Sequence, residues 1–342
     1  MKTTSLVMAN YGDYNGVFMT VQHVRMSSEV WWDEIIVVDS SWSEFPQEHA
    51  ELLQLQKEIP RLRVVPYSGV MGTTQTRNHA MDVTTSDVVF CVDSHVLLDR
   101  HARSCVLNYF DEPANRGDIV SGPMLGNSLR PKATHFFPKW QNRMWGVWGN
   151  AWVSKEGTLF TPVEGADGRT MCYTLTGGLK QRFLQSGVDC LWADRVQRLL
   201  GLEAVPWTEI NEPDATIEIP GMGLGCFAVW RDNWPGFNRH ARGFGGEELS
   251  IHELYRQRGG KAVCLNGFRW LHRFYRGVGA PQYKLDGSET IRNHVLWHSQ
   301  LGLSLSTMHG YFVLGEGFPQ TEWDRIVADP VGFVSAADIR LA

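Results

Sequence analysis

The chain has 342 residues, of which 43% are hydrophobic and 20% charged, and its 37 acidic and 32 basic side chains leave a net charge of -5. That balance suits a globular α/β protein with an ample core and gives no overall pull toward nucleic acid. It speaks against a membrane-spanning protein, because no apolar run approaches the roughly 18 residues of a span and no basic-plus-apolar leader opens the chain.

In chain order, short apolar runs alternate with helical spacing. Leu6–Ala9 reads as a strand, Gly16–Arg25 as a helix, Glu34–Asp39 as a strand, Pro46–Ile59 as a helix, Leu62–Pro66 as a strand and Thr73–Met81 as a helix before the strand Val88–Val92. Such alternation predicts a mostly parallel, twisted α/β sheet flanked by helices, with ligands bound beyond the carboxyl ends of the strands. Asn10, Asp39 and Asp93 each fall at such an end. Strand ends are usually polar, so position alone does not separate a nucleotide crevice from ordinary loops.

The run Val88-Val89-Phe90-Cys91-Val92 ends in Asp93-Ser94-His95. In an extended segment Asp93 and His95 share a face, so a carboxylate and an imidazole could hold one divalent ion such as Mn²⁺ or Mg²⁺. By itself an Asp-x-His after a strand is more often a polar loop.

Six cysteines, Cys91, Cys105, Cys172, Cys190, Cys226 and Cys264, are scattered without close pairs. This favours buried thiols in a reducing compartment and a cytoplasmic location. From Ile119 to Lys155 no acidic residue occurs, while Arg130, Lys132, Lys139, Arg143 and Lys155 do. Trp145, Trp148 and Trp152 recur at helical spacing there, which predicts a buried helix face; the sharper alternative is a stacking surface for sugar rings or bases. Gly165–Gly178 and Asn211–Pro220 read as loops, and no repeat or linker divides the chain.

Further along, glycines gather in Pro220–Cys226 before the strand-like Phe227–Trp230, and Gly243, Gly245 and Gly246 lead into Glu247-Glu248 and a helical pattern, Leu249–Arg258. The glycines permit close backbone approach to a ligand, although a helix start charged to suit its dipole explains the glutamates equally well. After the short strand Ala262–Leu265 comes Arg269-Trp270-Leu271-His272-Arg273-Phe274-Tyr275-Arg276. Arginines there suit phosphate oxygens, and an imidazole among them would gain from coordinating a metal.

Taken together, Ser5–Asn10, Ile35–Ser41, Thr76-Arg77-Asn78 through Asp93-Ser94-His95, Pro220 through Gly245-Gly246-Glu247, and Leu271-His272-Arg273-Phe274 resemble, in order and spacing, the GT-A-fold glycosyltransferases. Within these the chain is most similar to the polypeptide N-acetylgalactosaminyltransferases. The resemblance implies that Asp93, His95 and His272 bind Mn²⁺ (or Mg²⁺) against the pyrophosphate of a nucleotide sugar, a UDP-sugar by preference. It further implies that Asn10 and Asp39 hold base and ribose, that Arg77 sits in the same crevice, and that Glu247 contacts sugar hydroxyls. Gly225 and Gly246 would let the sugar lie against the backbone, and Arg273 and Arg276 would neutralise the leaving diphosphate. Retention of anomeric configuration is implied; an inverting relative would need a general base, which Glu247 or Glu248 could supply.

The family's Trp before the paired glycines is Phe244 here, and its Asn after the glutamate is Glu248. A hexosyl or N-acetylhexosaminyl donor is therefore expected without choosing between them. The expected organisation is one catalytic domain over residues 1–300, followed by a C-terminal extension, 301–342, packed on it. Within the domain, 1–118 is the nucleotide-binding half, 119–215 an insertion or acceptor region, and 216–300 the half that completes donor sugar and metal. The acceptor is a hydroxyl, on a protein side chain or on a hydroxymethylated base in DNA held through the Arg130–Lys155 region, in a bacterial or phage-infected cell. A nucleotidyltransferase and an inert nucleotide-sugar or glycan-binding protein are the alternatives. The sequence leaves the oligomeric state open.

Overall fold

The computed structural model describes residues 2–27, 32–127, 129, 131–153, 159–164, 170–174, 204–206, 215–274 and 286–334. In chain order its strands are β1 Thr4–Asn10, β2 Glu34–Asp39, β3 Leu62–Pro66, β4 Val88–Asp93, β5 Val96–Leu98, β6 Ile119–Ser121, β7 Met124–Leu125, β8 Pro131–Ala133 and β9 His135–Gln141. They continue with β10 Met144–Gly149, β11 Trp152–Val153, β12 Leu159–Glu164, β13 Thr170–Thr174, β14 Ala204–Pro206, β15 Thr216–Glu218, β16 Cys226–Trp230, β17 Ala262–Leu265 and β18 Trp270–His272. The helices are α1 Tyr14–Ser27, α2 Pro46–Glu58, α3 Thr73–Val83, α4 Ala102–Tyr109, α5 Glu248–Gln257, α6 Gly287–Leu301, α7 Ser306–His309 and α8 Gln320–Ala328.

An eight-stranded sheet in the order β15-β17-β6-β16-β4-β1-β2-β3 forms the centre. β4, β1, β2 and β3 run parallel, as do β6 and β17, while β16 and β15 enter antiparallel. The apolar runs of β1, β2 and β4 are buried along nearly their whole length, as strands covered on both faces must be. From β1 the chain winds to β2 and β3 on one side and reaches β4 on the other, so a crevice opens at the carboxyl ends of β1 and β4.

A smaller sheet, β5-β18-β7-β8, and the hairpin β9–β10 flank that crevice. The predicted helix through Trp145 and Trp148 is instead this antiparallel hairpin, with Asn142 and Arg143 at positive φ in its turn. Trp145 pairs with Trp140 and Val147 with Phe137, so the extra residue at the register shift belongs to β9. The three-residue spacing of Trp145 and Trp148 imitates a helix but places the two rings on opposite faces of β10, one toward each of two cavities. Trp152 begins a further strand. Likewise the predicted loops contain strands: Thr170–Thr174 is β13, and Thr216–Glu218 pairs with β17 at the edge of the main sheet. Ile119–Ser121, at the start of the expected insertion, is an inner strand of the main sheet.

A second apolar cluster joins α6 to the C-terminal residues through Ile291, Val295, Met308, Phe312, Trp323, Ile326 and Phe333. α6 is well delimited: Asp286 accepts a hydrogen bond from the Ser288 amide, and Gly302 ends the helix at φ 66°. Cys91, Cys226 and Cys264 are buried free thiols. No described helix is long and apolar enough to cross a membrane.

Candidate functional site

β4 ends in Asp93, and Ser94 and His95 form the turn into β5. Asp93 and His95 therefore converge through a turn, not through the same-face alternation of an extended strand. β18 pairs antiparallel with β5 and sets His272 opposite Val96. Ligand atoms of Asp93, His95 and His272 all lie within 4.8 Å of one another. His272 Nε2 is 3.2 Å from Asp93 Oδ2, and the two imidazole centroids are 4.8 Å apart at 86°.

Sequence reasoning missed Asp13. Its Oδ1 accepts from the Gly16 amide as the N-cap of α1, while Oδ2 accepts from Ser94 Oγ at 3.0 Å and lies 2.7 Å from His95 Nδ1. A carboxylate on one ring nitrogen fixes the tautomer and leaves Nε2 as the ligand atom. The signal was in the sequence as an aspartate at the last position before a helix, the commonest place for a cap and so not distinctive.

The donor set fits a divalent cation: one carboxylate, one imidazole braced by Asp13, and a second imidazole whose Nδ1 is buried without a hydrogen-bond partner. Burial would raise the Asp93 carboxyl, but the His272 hydrogen bond and the Arg77 charge outweigh it and hold the carboxyl well below the usual range. Asp93 is thus ionised at any working pH. Asp13→Asn is expected to weaken Mn²⁺ binding by about 10–100-fold with little loss of fold, since asparagine also caps helices. Isothermal titration with Mn²⁺ checks this, and unchanged affinity would remove Asp13 from the role.

Arg77, on α3 and 5% exposed, ties the two halves of the crevice together. Its Nη2 donates to Asp93 Oδ1 at 2.8 Å and to the Leu224 carbonyl at 3.2 Å, and its Nη1 lies 3.5 Å from Glu247 Oε1. Thr73 Oγ1 donates to the same Glu247 oxygen at 3.0 Å, while Glu247 Oε2 is buried with no partner. Glu248 opens the first turn of α5 and lines the same cavity. Burial first, and then the neighbouring Glu247 carboxylate, push its carboxyl up to about 8.

A raised acid has a definite sign. The folded state keeps a proton that the unfolded chain releases, so stability is greatest below the ordinary carboxylate range and falls as pH rises toward 8. Glu248→Gln removes that loss. Its Tm is expected to exceed that of wild type by at least about 2 °C at pH 8 and to converge with it below pH 5; a gap that does not change with pH would refute the assignment.

The cavity, about 390 Å³, has the Asp93–His95–His272 cluster with Arg77, Glu247 and Glu248 on one side and an apolar wall of Phe136, Met144 and Trp148 from the hairpin on another. Trp148 is 42% exposed and packs edge-on to Phe136 at 4.2 Å. Phe274, also exposed, lies 4.2 Å from the His272 ring, and Lys132 Nζ is 4.2 Å from the Phe274 ring centre.

Other expected site residues sit differently. Asn10 and Asp39 are buried and joined to each other, and Asp39 also takes hydrogen bonds from Ser41 and His49. Neither lines the cavity, which Ala9 and Tyr11 reach from that side. Gly225 lines it, and a Cβ there would come within 3.1 Å of Trp270 and His272, so its bareness makes room for those rings. Gly246, at φ 95°, packs on α6. Arg273 directs its guanidinium to Met19 Sδ on α1 at 3.3 Å. Arg276 lies outside the described residues, as do Arg130 and Lys155; Arg143 of the basic stretch pairs with Glu316.

No protein-family model matches the chain, and no curated protein matches it. Among solved structures it is similar to GalNAc-T7 with UDP, GalNAc and Mn²⁺, at TM-score 0.57 and 14% identity over 96% of this chain and 54% of that one. This chain thus spans about half the length of that protein. It also aligns with the mannosyltransferase PcManGT from Pyrobaculum calidifontis in complex with GDP-Man and Mn²⁺, at TM-score 0.49 and 10% identity, over 99% and 78% of the two chains. S. aureus TarS 1–349 aligns at TM-score 0.48 and 12% identity, over 96% and 81%. The sheet, its flanking helices and the crevice at the ends of β1 and β4 are those of the GT-A fold.

Proposed function

We propose that the protein is a metal-dependent glycosyltransferase that moves a sugar from a nucleotide sugar, preferentially a UDP-sugar, to a hydroxyl acceptor. The observation that carries this reading is the convergence of Asp93, His95 and His272 within 4.8 Å at the mouth of a GT-A crevice that also holds Arg77 and Glu247. The neighbour GalNAc-T7 was solved with UDP, GalNAc and Mn²⁺, which supports the same pairing of nucleotide and metal here.

Asp93, His95 and His272 would hold Mn²⁺, which when bound supplies positive charge against a diphosphate. Asn10 and Asp39 act on the nucleoside side through the β1 and β2 ends they brace. Glu247 and Glu248 face the transferred sugar and Arg276 serves the diphosphate; Gly225 and Gly246, whose bareness makes room for Trp270, His272 and α6, and Arg273, turned to Met19, take no part in holding the donor. Transfer forms a bond from the acceptor oxygen to the sugar's anomeric carbon and breaks that carbon's bond to phosphate oxygen. The acceptor proton passes to the departing diphosphate. Retention is the reading carried by the family resemblance. An inverting reaction would instead need a base, for which Glu247 Oε2, free of Thr73 and Arg77, and Glu248, raised to about 8, are the candidates, and the anomer of the product separates the two.

The acceptor would approach along the hairpin wall of Phe136, Met144 and Trp148, presenting either a protein side-chain hydroxyl or a hydroxymethylated base in DNA. DNA binding that weakens steeply with salt identifies the second, and its absence at low salt leaves the first. The decisive test of the whole reading is a thermal-shift panel of nucleoside diphosphates and their sugars with and without Mn²⁺, joined to product analysis. A Mn²⁺-dependent shift with one nucleotide and release of its diphosphate are expected. Release of pyrophosphate would show a nucleotidyltransferase, and no shift with any nucleotide would sink the proposal.

A further inference from the structure

The segment that carries Glu247 has almost no means of holding its own shape. Gly243, Gly245 and Gly246 stand at φ 65°, 90° and 95°, conformations open to glycine and little else, and glycines bring no side chain to anchor them. The anchoring comes from outside. On one side the segment meets the start of α3: the Gly243 amide donates to the Met71 carbonyl at 2.9 Å, and the Thr73 amide donates to the Gly243 carbonyl at 3.1 Å. On the other side it meets α6. Asn293, 1% exposed, donates through Nδ2 to the carbonyls of Arg242 at 2.7 Å and Gly245 at 3.1 Å, and its Oδ1 accepts from the Arg242 amide at 3.2 Å. Thr290, one turn earlier on α6, donates to the Phe244 carbonyl at 3.1 Å.

The contact is as close as it can be. A Cβ on Gly246 would come within 3.0 Å of the Asn293 Cβ. One buried amide thus brackets the turn from Arg242 to Gly245 as a neighbouring strand would, and Glu247 follows immediately.

We propose that Asn293 is the positioning residue of the donor-sugar subsite: from α6 it sets the Arg242–Gly246 segment, and through it the place of Glu247 and Glu248, while leaving the metal and nucleotide subsite alone. This rests on the glycosyltransferase reading. The division follows from the anchoring: Asp93, His95 and His272 are held by β4, β5, β18 and Asp13, none of which Asn293 touches, and the one bridge between the halves, Arg77, is bonded closely to Asp93 at 2.8 Å and only loosely to Glu247 at 3.5 Å. A loosened segment therefore costs the contacts made by the sugar and spares those made by the diphosphate.

The test compares nucleoside diphosphate with nucleotide sugar in the same variants. Wild type, Asn293→Asp and the milder Thr290→Val are titrated with Mn²⁺ and UDP, UDP-glucose, GDP or GDP-mannose. Folding is followed by circular dichroism, and amide exchange is measured over residues 242–247. Asn293→Asp keeps the size and the Oδ1 acceptor but loses both Nδ2 donations. It is expected to bind the nucleotide sugar about tenfold or more weaker, to bind the diphosphate within twofold of wild type, and to exchange faster only over 242–247. Thr290→Val should move the same way by less. Equal losses for diphosphate and sugar, or no loss in either folded variant, overturn the positioning role while the glycosyltransferase reading stands. A folded wild type that binds none of the four ligands with Mn²⁺ overturns both.

Discussion

Replacing Asp93 with asparagine is expected to abolish Mn²⁺-dependent nucleotide binding and to lower sugar transfer by about a thousandfold or more, because the variant keeps the shape of the site and removes the one carboxylate of the proposed Asp93–His95–His272 ligand set. Asp93 touches every part of the centre: Oδ1 accepts from Arg77 at 2.8 Å and Oδ2 lies 3.2 Å from His272 Nε2. In Asp93→Asn the amide oxygen can still take the Arg77 bond, but the amide nitrogen then faces His272 and offers a donor where a cation should sit. Stability should fall as well, with a specific pH signature. The carboxyl is held below its ordinary range, so its contribution is present above that range and fades as pH falls through the depressed value. Wild type should therefore exceed the variant in Tm at neutral pH and approach it in acid. Isothermal titration with Mn²⁺, a nucleotide-sugar turnover assay and melting curves across pH read these effects. Turnover within tenfold of wild type would remove Asp93 from the metal site.

The two halves of that site were legible to different degrees. β1, β2, β3 and β4 and the helices α1, α2, α3 and α5 could be read from the chain because each repeats one period over its whole length and ends in a strong signal, such as Pro46 entering α2 or the glycines before α5. Asp93, His95 and His272 could be proposed as partners only through the family resemblance, since 179 positions separate the first from the last and nothing local joins them. The hairpin differs from the expected helix because Trp145 and Trp148, three positions apart, imitate helical spacing while standing on opposite faces of one strand. Asp13 and Asn293 were passed over for a common reason: an N-cap and a helical asparagine look ordinary until tertiary contact shows what their second oxygen or their amide nitrogen holds. Arg273 shows the converse, a residue of the right chemistry in the right segment whose guanidinium is given to Met19.

Arg77→Met should be the most destabilising single change in the crevice. The guanidinium, almost fully buried, stands between Asp93 at 2.8 Å and Glu247 at 3.5 Å. Burial alone would make it a weaker base, and the charges of Asp93 and Glu247 reverse that and raise it above its ordinary value. Methionine fills much the same volume and supplies neither charge nor donor. The Asp93 and Glu247 carboxylates then lose the cation between them, and the Leu224 carbonyl loses its donor. Stranding buried charges in this way costs about 3–5 kcal/mol, which for a chain of this size corresponds to a Tm lower by roughly 5–10 °C. Two further measurements separate charge from packing. Adding Glu247→Gln to Arg77→Met should recover part of the loss, since the coupling between the positions is electrostatic. Mn²⁺ should raise the Tm of Arg77→Met by more than it raises that of wild type, because a cation on Asp93, His95 and His272 replaces part of the missing positive charge. If the double variant is no more stable than Arg77→Met and Mn²⁺ lifts both proteins equally, Arg77 serves only to fill space between α3 and the ends of the strands.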